Sequence, residues 1–141
     1  MTGNSTYSGG TTISAGTLQL GDGGTIGSIT GNVTDNGMLA FNRADTVIFG
    51  GVISGTGTLA QLGAGTTIFT ADNTYSGDTT ISAGTLQLGN GGTGGSIAGN
   101  VADNGTLLFN RSDALTFDGV VSGTGAGTGR YMPPGTGDRV P

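Results

Sequence analysis

Apolar and polar residues alternate along most of the chain in short pieces separated by Gly, Asn, Asp and Ser. One set reads Thr11-Thr12-Ile13, Thr17-Leu18-Gln19-Leu20 and Ser28-Ile29-Thr30. A second reads Asn32-Val33-Thr34, Met38-Leu39-Ala40-Phe41 and Thr46-Val47-Ile48-Phe49. A third reads Val52-Ile53-Ser54, Thr58-Leu59-Ala60-Gln61 and Thr66-Thr67-Ile68-Phe69-Thr70. Period-two alternation predicts strands with one buried face. The separators supply the positive φ or local hydrogen bonds that corners require. No stretch sustains a helical period, so the chain is predicted to be all-β.

The pieces repeat. Thr6-Tyr7-Ser8-Gly9 returns as Thr74-Tyr75-Ser76-Gly77, an offset of 75 − 7 = 68 in the numbering. Thr11 through Leu20 return unchanged as Thr79 through Leu88, and Phe41-Asn42-Arg43 as Phe109-Asn110-Arg111. From Thr6 to Gly57, three quarters of positions match their partner. Register held over that length marks a duplicated structural unit rather than low-complexity drift.

A Gly with Leu two places later begins at Gly16, Gly37, Gly57, Gly84 and Gly105, at spacings of 21, 20, 27 and 21. The first three spacings fill the 68-residue unit, which predicts three rungs per unit and about three strands per rung. One coil cannot bury its inner face alone, but stacked coils can. The expected architecture is a β-solenoid of roughly five to six rungs at the usual inter-strand spacing of about 4.8 Å. Leu18, Leu39, Leu59, Leu86 and Leu107 are expected in one inward column. Leu20, Phe41, Leu88 and Phe109 are expected in a second, with Gln61 as the exception, and Ile13, Val33, Ile81 and Val101 in a third. The solenoid is expected over residues 1–126, as two units of which the second is incomplete. Residues 127–141 hold all 3 Pro and read as an irregular or disordered tail.

Composition sharpens this picture mainly by what is missing. The 32 Gly would also suit a disordered chain, and only the inward columns argue otherwise. Cys, His, Trp, Lys and Glu are absent. That removes disulfides, thiolate metal sites, the commonest general base and Schiff-base chemistry. A net charge of −5 argues against nucleic acid and anionic membrane surfaces as partners. No apolar run is long enough to span a bilayer, so no direct membrane insertion is expected. Met1 to Ser5 lack the basic and apolar regions of an export signal.

Asn73-Thr74-Tyr75-Ser76-Gly77-Asp78-Thr79-Thr80-Ile81-Ser82-Ala83-Gly84-Thr85-Leu86-Gln87-Leu88-Gly89 resembles the autotransporter-associated β-strand repeat, as does the copy from Asn4 to Gly21. Such repeats build passengers of type V secreted proteins of Gram-negative bacteria. The resemblance implies a right-handed parallel β-helix displayed at the cell surface, acting as a stalk or scaffold and assisting passenger folding and export. Its partners are then neighbouring repeats of a larger passenger. The export signal and C-terminal barrel of that family are not found in these residues, so the chain reads as an internal piece or gene fragment.

Candidate sites have structural readings beside them. Gly89-Asn90-Gly91-Gly92-Thr93-Gly94 has the spacing G-x-G-x-x-G, but no helix is predicted to follow, so a corner loop is expected. Gly21-Asp22-Gly23-Gly24 is similar to calcium-binding turns, yet one carboxylate per loop makes a poor hard-ion cage. Asp35 with Asp45, and Asp103 with Asp113, are the best pairs for polysaccharide cleavage, the remote alternative. Their recurrence in both units suits repeated turns better, and Arg43 with Asp45 and Arg111 with Asp113 are expected in weak corner contacts. Threonine-rich faces suit weak adhesin-type binding of host or matrix glycan or protein, although the unequal glycine spacings predict a broken lattice. The expectation is a non-enzymatic chain with no catalytic, cofactor or metal residues. Its uncapped end rungs should fray or self-associate end to end.

Overall fold

The computed structural model describes residues 1–5, 9–113, 117 and 119–129. Its strands follow in the order β1 (Thr11–Ile13), β2 (Thr17–Leu20), β3 (Val33–Asp35), β4 (Met38–Phe41), β5 (Thr46–Phe49), β6 (Ile53–Ser54), β7 (Thr58–Gln61), β8 (Thr66–Phe69), β9 (Thr79–Ile81), β10 (Thr85–Leu88), β11 (Val101–Asp103), β12 (Thr106–Phe109), β13 (Val121–Ser122) and β14 (Ala126–Gly129). No helix occurs among the described residues. The strands pair in parallel into three sheets, one on each side of a solenoid of about five turns. The first sheet stacks β1-β3-β6, the second β2-β4-β7-β9-β11-β13 and the third β5-β8-β10-β12-β14. Beyond β6 the first side continues without a named strand: Thr74 and Tyr75 donate to the Ile53 carbonyl at 2.8 and 3.2 Å, and Asp72 bridges Ser96.

The predicted strand pieces of the first unit correspond closely to β1 through β8; the Ser28-Ile29-Thr30 piece contributes instead an isolated bridge, Ser28 to Asn4. The stacking of the two units differs from expectation. Among the named strands, successive coils pair at steps that vary from Thr66 with Thr85, the shortest, to Thr11 with Val33 and Thr79 with Val101, the longest. Three steps from Thr17 pass Met38 and Thr58 and reach Asp78, which falls short of the repeat-equivalent Thr85. The stretch 78–84 then carries the chain along the second side and around one corner to Thr85. One repeat therefore makes three coils and one further side. β1, β3 and β6 lie on the first side, and their repeat equivalents β9, β11 and β13 lie on the second. β2, β4 and β7 lie on the second, and β10, β12 and β14 on the third.

This screw corrects the expected columns. Leu18, Leu39 and Leu59 stack, but their next partner is Thr79. Leu86 and Leu107 stack on the third side, above Thr67. Leu20, Phe41, Gln61 and Ile81 align on the second side, whereas Leu88 and Phe109 continue Phe49 and Phe69 on the third. Ile13 aligns with Asp35, not Val33, and Ile81 with Asp103. The wide glycine spacing, from Gly57 to Gly84, is one coil plus one side. Any side accepts either copy because each demands only alternate inward side chains.

The interior is continuous along the axis. Phe41, Phe49 and Phe69 meet edge to face with centroids 5.8 to 6.3 Å apart, and Phe109 and Phe117 are 6.2 Å apart. Where the second unit takes over, the interior turns polar. Thr67 donates to Gln61 Oε1 at 2.6 Å, Gln61 Nε2 donates to the Gly63 and Gly65 carbonyls, and the Tyr75 and Thr79 hydroxyls bond at 2.6 Å. These side chains are buried and satisfied, so Gln61 interrupts its apolar column without leaving an orphaned group. The expected end of the solenoid at residue 126 falls inside β14, whose Ala126 to Gly129 align with Thr106 to Phe109. Loss of a leucine there does not stop a ladder made by backbone groups. The rest of the expected tail, 130–141, lies outside the described residues, as does the motif segment 6–8.

Candidate functional site

The most built feature outside the core is a glycine-rich loop held by an arginine, present once per repeat. After β2 the chain leaves the ladder through the loop 21–27. Gly21 has φ +87, and a Cβ there would lie 2.4 Å from the Asn42 carbonyl oxygen, so only glycine fits. Arg43 reaches back across this loop: Nη1 donates to the Gly27 carbonyl at 3.0 Å and Nη2 to the Thr25 carbonyl at 2.6 Å. Its other bonds go to Asp45, Nε to Oδ1 at 2.9 Å and Nη2 to Oδ2 at 2.8 Å. Arg111 repeats this with Gly95, Thr93 and Asp113 at 2.6 to 3.2 Å. Arg111 also lies 3.7 Å from Asp72.

The contacts expected between Arg43 and Asp45 and between Arg111 and Asp113 are present, and each joins a largely covered arginine to an aspartate at the surface, 37% and 41% exposed. The arginine side chains are only 11% and 7% exposed. Hydrogen bonds from Arg43 and Arg111 hold the Asp45 and Asp113 carboxyls below the usual carboxylate range, and the bond to Asp113 raises Arg111 in turn. The planar guanidinium satisfies two loop carbonyls and a carboxylate together, which an ammonium cannot do. The R-x-D spacing shared by both repeats was the available signal. Its loop partners, a full coil upstream, were not legible locally.

The two members of each acid pair sit in different settings. Asp35 ends β3 on the first side and faces the interior at 0% exposure, while Asp45 sits ahead of β5 in the arginine clamp. Asp35 Oδ1 accepts from the Gly37 amide at 3.0 Å, and Oδ2 has no hydrogen-bond partner among the described residues. Burial pushes Asp35 above its ordinary pKa, opposed by the Gly37 and Leu39 amides. Asp103 has the same setting, with Gly105 at 3.1 Å. These are interior turn residues. The G-x-G-x-x-G segment is the Arg111-clamped loop, followed by the Ser96 bridge and no helix. Among the described residues no three acidic side chains converge in a metal-binding group, and Asp22 stands exposed in its loop.

The third sheet carries two uncharged rows on the side away from the Phe column; in the second of them Ile68 and Gln87 are buried. Thr46, Thr66, Thr85 and Thr106 align in one, beside Ile48, Ile68, Gln87 and Leu108 in the other. The broken lattice expected from the glycine spacings is not found on this side, because each strand pairs with the next over its full length. Ile48 is 60% exposed. It borders a shallow groove of about 340 Å³ lined by Ile29, Asn32 and Phe49 among others.

A three-sided parallel solenoid with clamped loops defines a class of repeat-built proteins in which each coil stacks on its neighbours. The passenger-associated-transport-repeat family matches residues 1–20 and 59–88. The second of these stretches runs from β7 to β10 and contains the polar layer between units. The chain is 46% identical over 103 residues to the adhesin BmaC autotransporter of Brucella suis biovar 1 (strain 1330). That match covers 73% of this chain and 3% of the relative's length. No solved structure matches the chain. The chain belongs to the autotransporter passenger repeats, as one segment of such a passenger.

Proposed function

We propose that this segment is a structural spacer of a cell-surface passenger, with no catalysis of its own. One observation carries this reading: the ladder of the second side runs through six strands from β2 to β13 and that of the third through five from β5 to β14, so the repeat adds length and rotation. The carboxylates best placed for hydrolysis are occupied, Asp35 in the interior and Asp45 in the clamp. The sequence offers no His, Cys or Lys to replace them. Through its ladder edges the segment joins neighbouring repeats, and each rung templates the next, which supports a role in passenger folding during export. Deleting one whole repeat from a displayed parent passenger tests this. The stalk is expected to shorten by about 16 Å, from three and a third coils at about 4.8 Å each, with the passenger still displayed. Loss of a binding or enzymatic activity with no change in length contradicts it.

A second reading is an adhesive surface. It is favoured by the uncharged threonine row of the third sheet, by the exposed Ile48 beside it and by the relative's description as an adhesin. Glycan and matrix-protein arrays probed with the chain and with Ile48→Asp test it. Retention on an array that the Asp variant abolishes supports adhesion by this face, and identical blank arrays oppose it.

A further inference from the structure

The sequence contains three Asn-Gly pairs, Asn36-Gly37, Asn90-Gly91 and Asn104-Gly105, and the fold treats them differently. In Asn-Gly the glycine amide nitrogen can attack the asparagine side-chain carbon, provided both groups can move. At the first pair both are pinned. Asn36 Oδ1 accepts from the Thr56 amide at 3.1 Å and hydroxyl at 3.3 Å, and the Gly37 amide donates to Asp35. Asn104, Thr124, Gly105 and Asp103 repeat that arrangement. Both glycines are also wedged: a Cβ on Gly37 would lie 2.3 Å from the Gly16 carbonyl oxygen, and one on Gly105 2.6 Å from that of Gly84.

Asn90 is the opposite case. It is exposed in the clamped loop, and its side chain makes no hydrogen bond among the described residues. A Cβ on Gly91 or Gly92 would meet nothing within 4 Å, so there is room for a ring to close. One bond restrains the nucleophile, from the Gly91 amide to the Asn110 carbonyl at 2.9 Å. The equivalent position of the first repeat is Asp22-Gly23, with the same backbone bond, Gly23 to Asn42 at 2.8 Å. This loop thus already holds a carboxylate there in the other copy.

We propose that Asn90 is a self-modification site, converted by Gly91 into an acidic residue that gives the second loop the chemistry of the first. The Gly91 amide loses its proton to solvent base, and its nitrogen bonds to Asn90 Cγ. The side-chain nitrogen of Asn90 takes up a proton and leaves as ammonia, closing a succinimide. Water then opens either imide carbonyl, giving Asp or isoaspartate. The net charge moves from −5 to −6, and the extra backbone methylene of isoaspartate falls between β10 and the Ser96 bridge, outside any strand.

The test is to hold the folded chain at mildly alkaline pH and map the three pairs by peptide mass spectrometry. A urea-unfolded sample and the N90Q variant run in parallel. Asn90 is expected to react at least about tenfold faster than Asn36 or Asn104 in the folded chain, since those must break more hydrogen bonds first. In urea the three rates should converge, and N90Q should abolish the acidic species seen by isoelectric focusing. Equal rates in the folded chain, or an Asn90 that reacts only in urea, overturn the proposal.

Discussion

Leu18 and Leu86 occupy the same position of the repeat, yet they should differ in stability by a large factor. Leu86 is 0% exposed on the third side, between Thr67 and Leu107 in adjoining coils. Leu18 is partly buried and has Leu39 as its one ladder partner among the described residues. Leu→Ala removes three carbons, worth roughly 2.4 kcal/mol at about 0.8 kcal/mol each when fully buried. At Leu86 the surroundings are held by ladders on both sides and collapse little, so a cavity contribution brings the expected loss to about 3–5 kcal/mol. At Leu18, partly buried at the edge of the core, most of the transfer energy applies but the void opens to water, giving roughly 1.5–2 kcal/mol. Urea unfolding followed by circular dichroism measures both, and amide exchange guards against uncoupled melting of single rungs. Equal losses for L18A and L86A would refute the argument that rotation and position, rather than repeat identity, set each residue's burial.

Other expectations follow from the clamp, the glycines and the buried carboxyls. R43K should deprotect the Gly23 and Ala44 amides to exchange almost as much as R43A, because lysine cannot hold two loop carbonyls and Asp45 at once; retained protection in R43K would sink this. G57A, whose Cβ would lie 2.5 Å from Asp35 Oδ1, should cost about 1–3 kcal/mol as an overpacked site. G92A, whose Cβ meets nothing within 4 Å, should stay within about 0.5 kcal/mol of wild type; the reverse order in thermal melts would contradict the packing. Asp35 and Asp103 have raised pKa values, so their charged forms weaken the fold as pH rises from the usual carboxylate value through the raised one. D35N, which keeps an acceptor for Gly37, should therefore be more stable than wild type at neutral pH, with an advantage that shrinks on acidification. Asp45 and Asp113 act oppositely, their contribution being lost as pH falls through their lowered values. A D35N advantage independent of pH would contradict burial of a charged Asp35.

The strands were legible because alternation is local: Thr17-Leu18-Gln19-Leu20 and Thr85-Leu86-Gln87-Leu88 read as strands wherever they sit. The stacking was less legible because coil length is a property of the cross-section, not of the repeat. The near-identity of the two units suggests that Leu59 sits beneath Leu86, yet each coil closes earlier than that and places Thr79 and Thr67 beside them. The burial of Asp35 was hidden for a related reason. Beside Asn36 and Gly37 it reads as an exposed turn, and only the Ile13 register and the missing side chain at Gly57 put it inside. The arginine clamp left a sequence trace in its R-x-D spacing, but the loop carbonyls it binds carry no side-chain signature.

An advance of three coils and one further side per repeat underlies every placement above, and disulfide trapping reads it directly. The chain has no cysteine of its own, so paired substitutions report only the stacking. T66C with T85C places two thiols on directly facing residues of β8 and β10, and adjacent strands bring Cα atoms to about 4.8 Å, within disulfide reach. T58C with T85C places them at equivalent glycine-leucine positions of successive predicted rungs, but on the second and third sides. Mild oxidation followed by mass mapping should give a disulfide in the first variant and free thiols in the second. A disulfide in T58C/T85C, with none in T66C/T85C, would show that the repeats stack in phase.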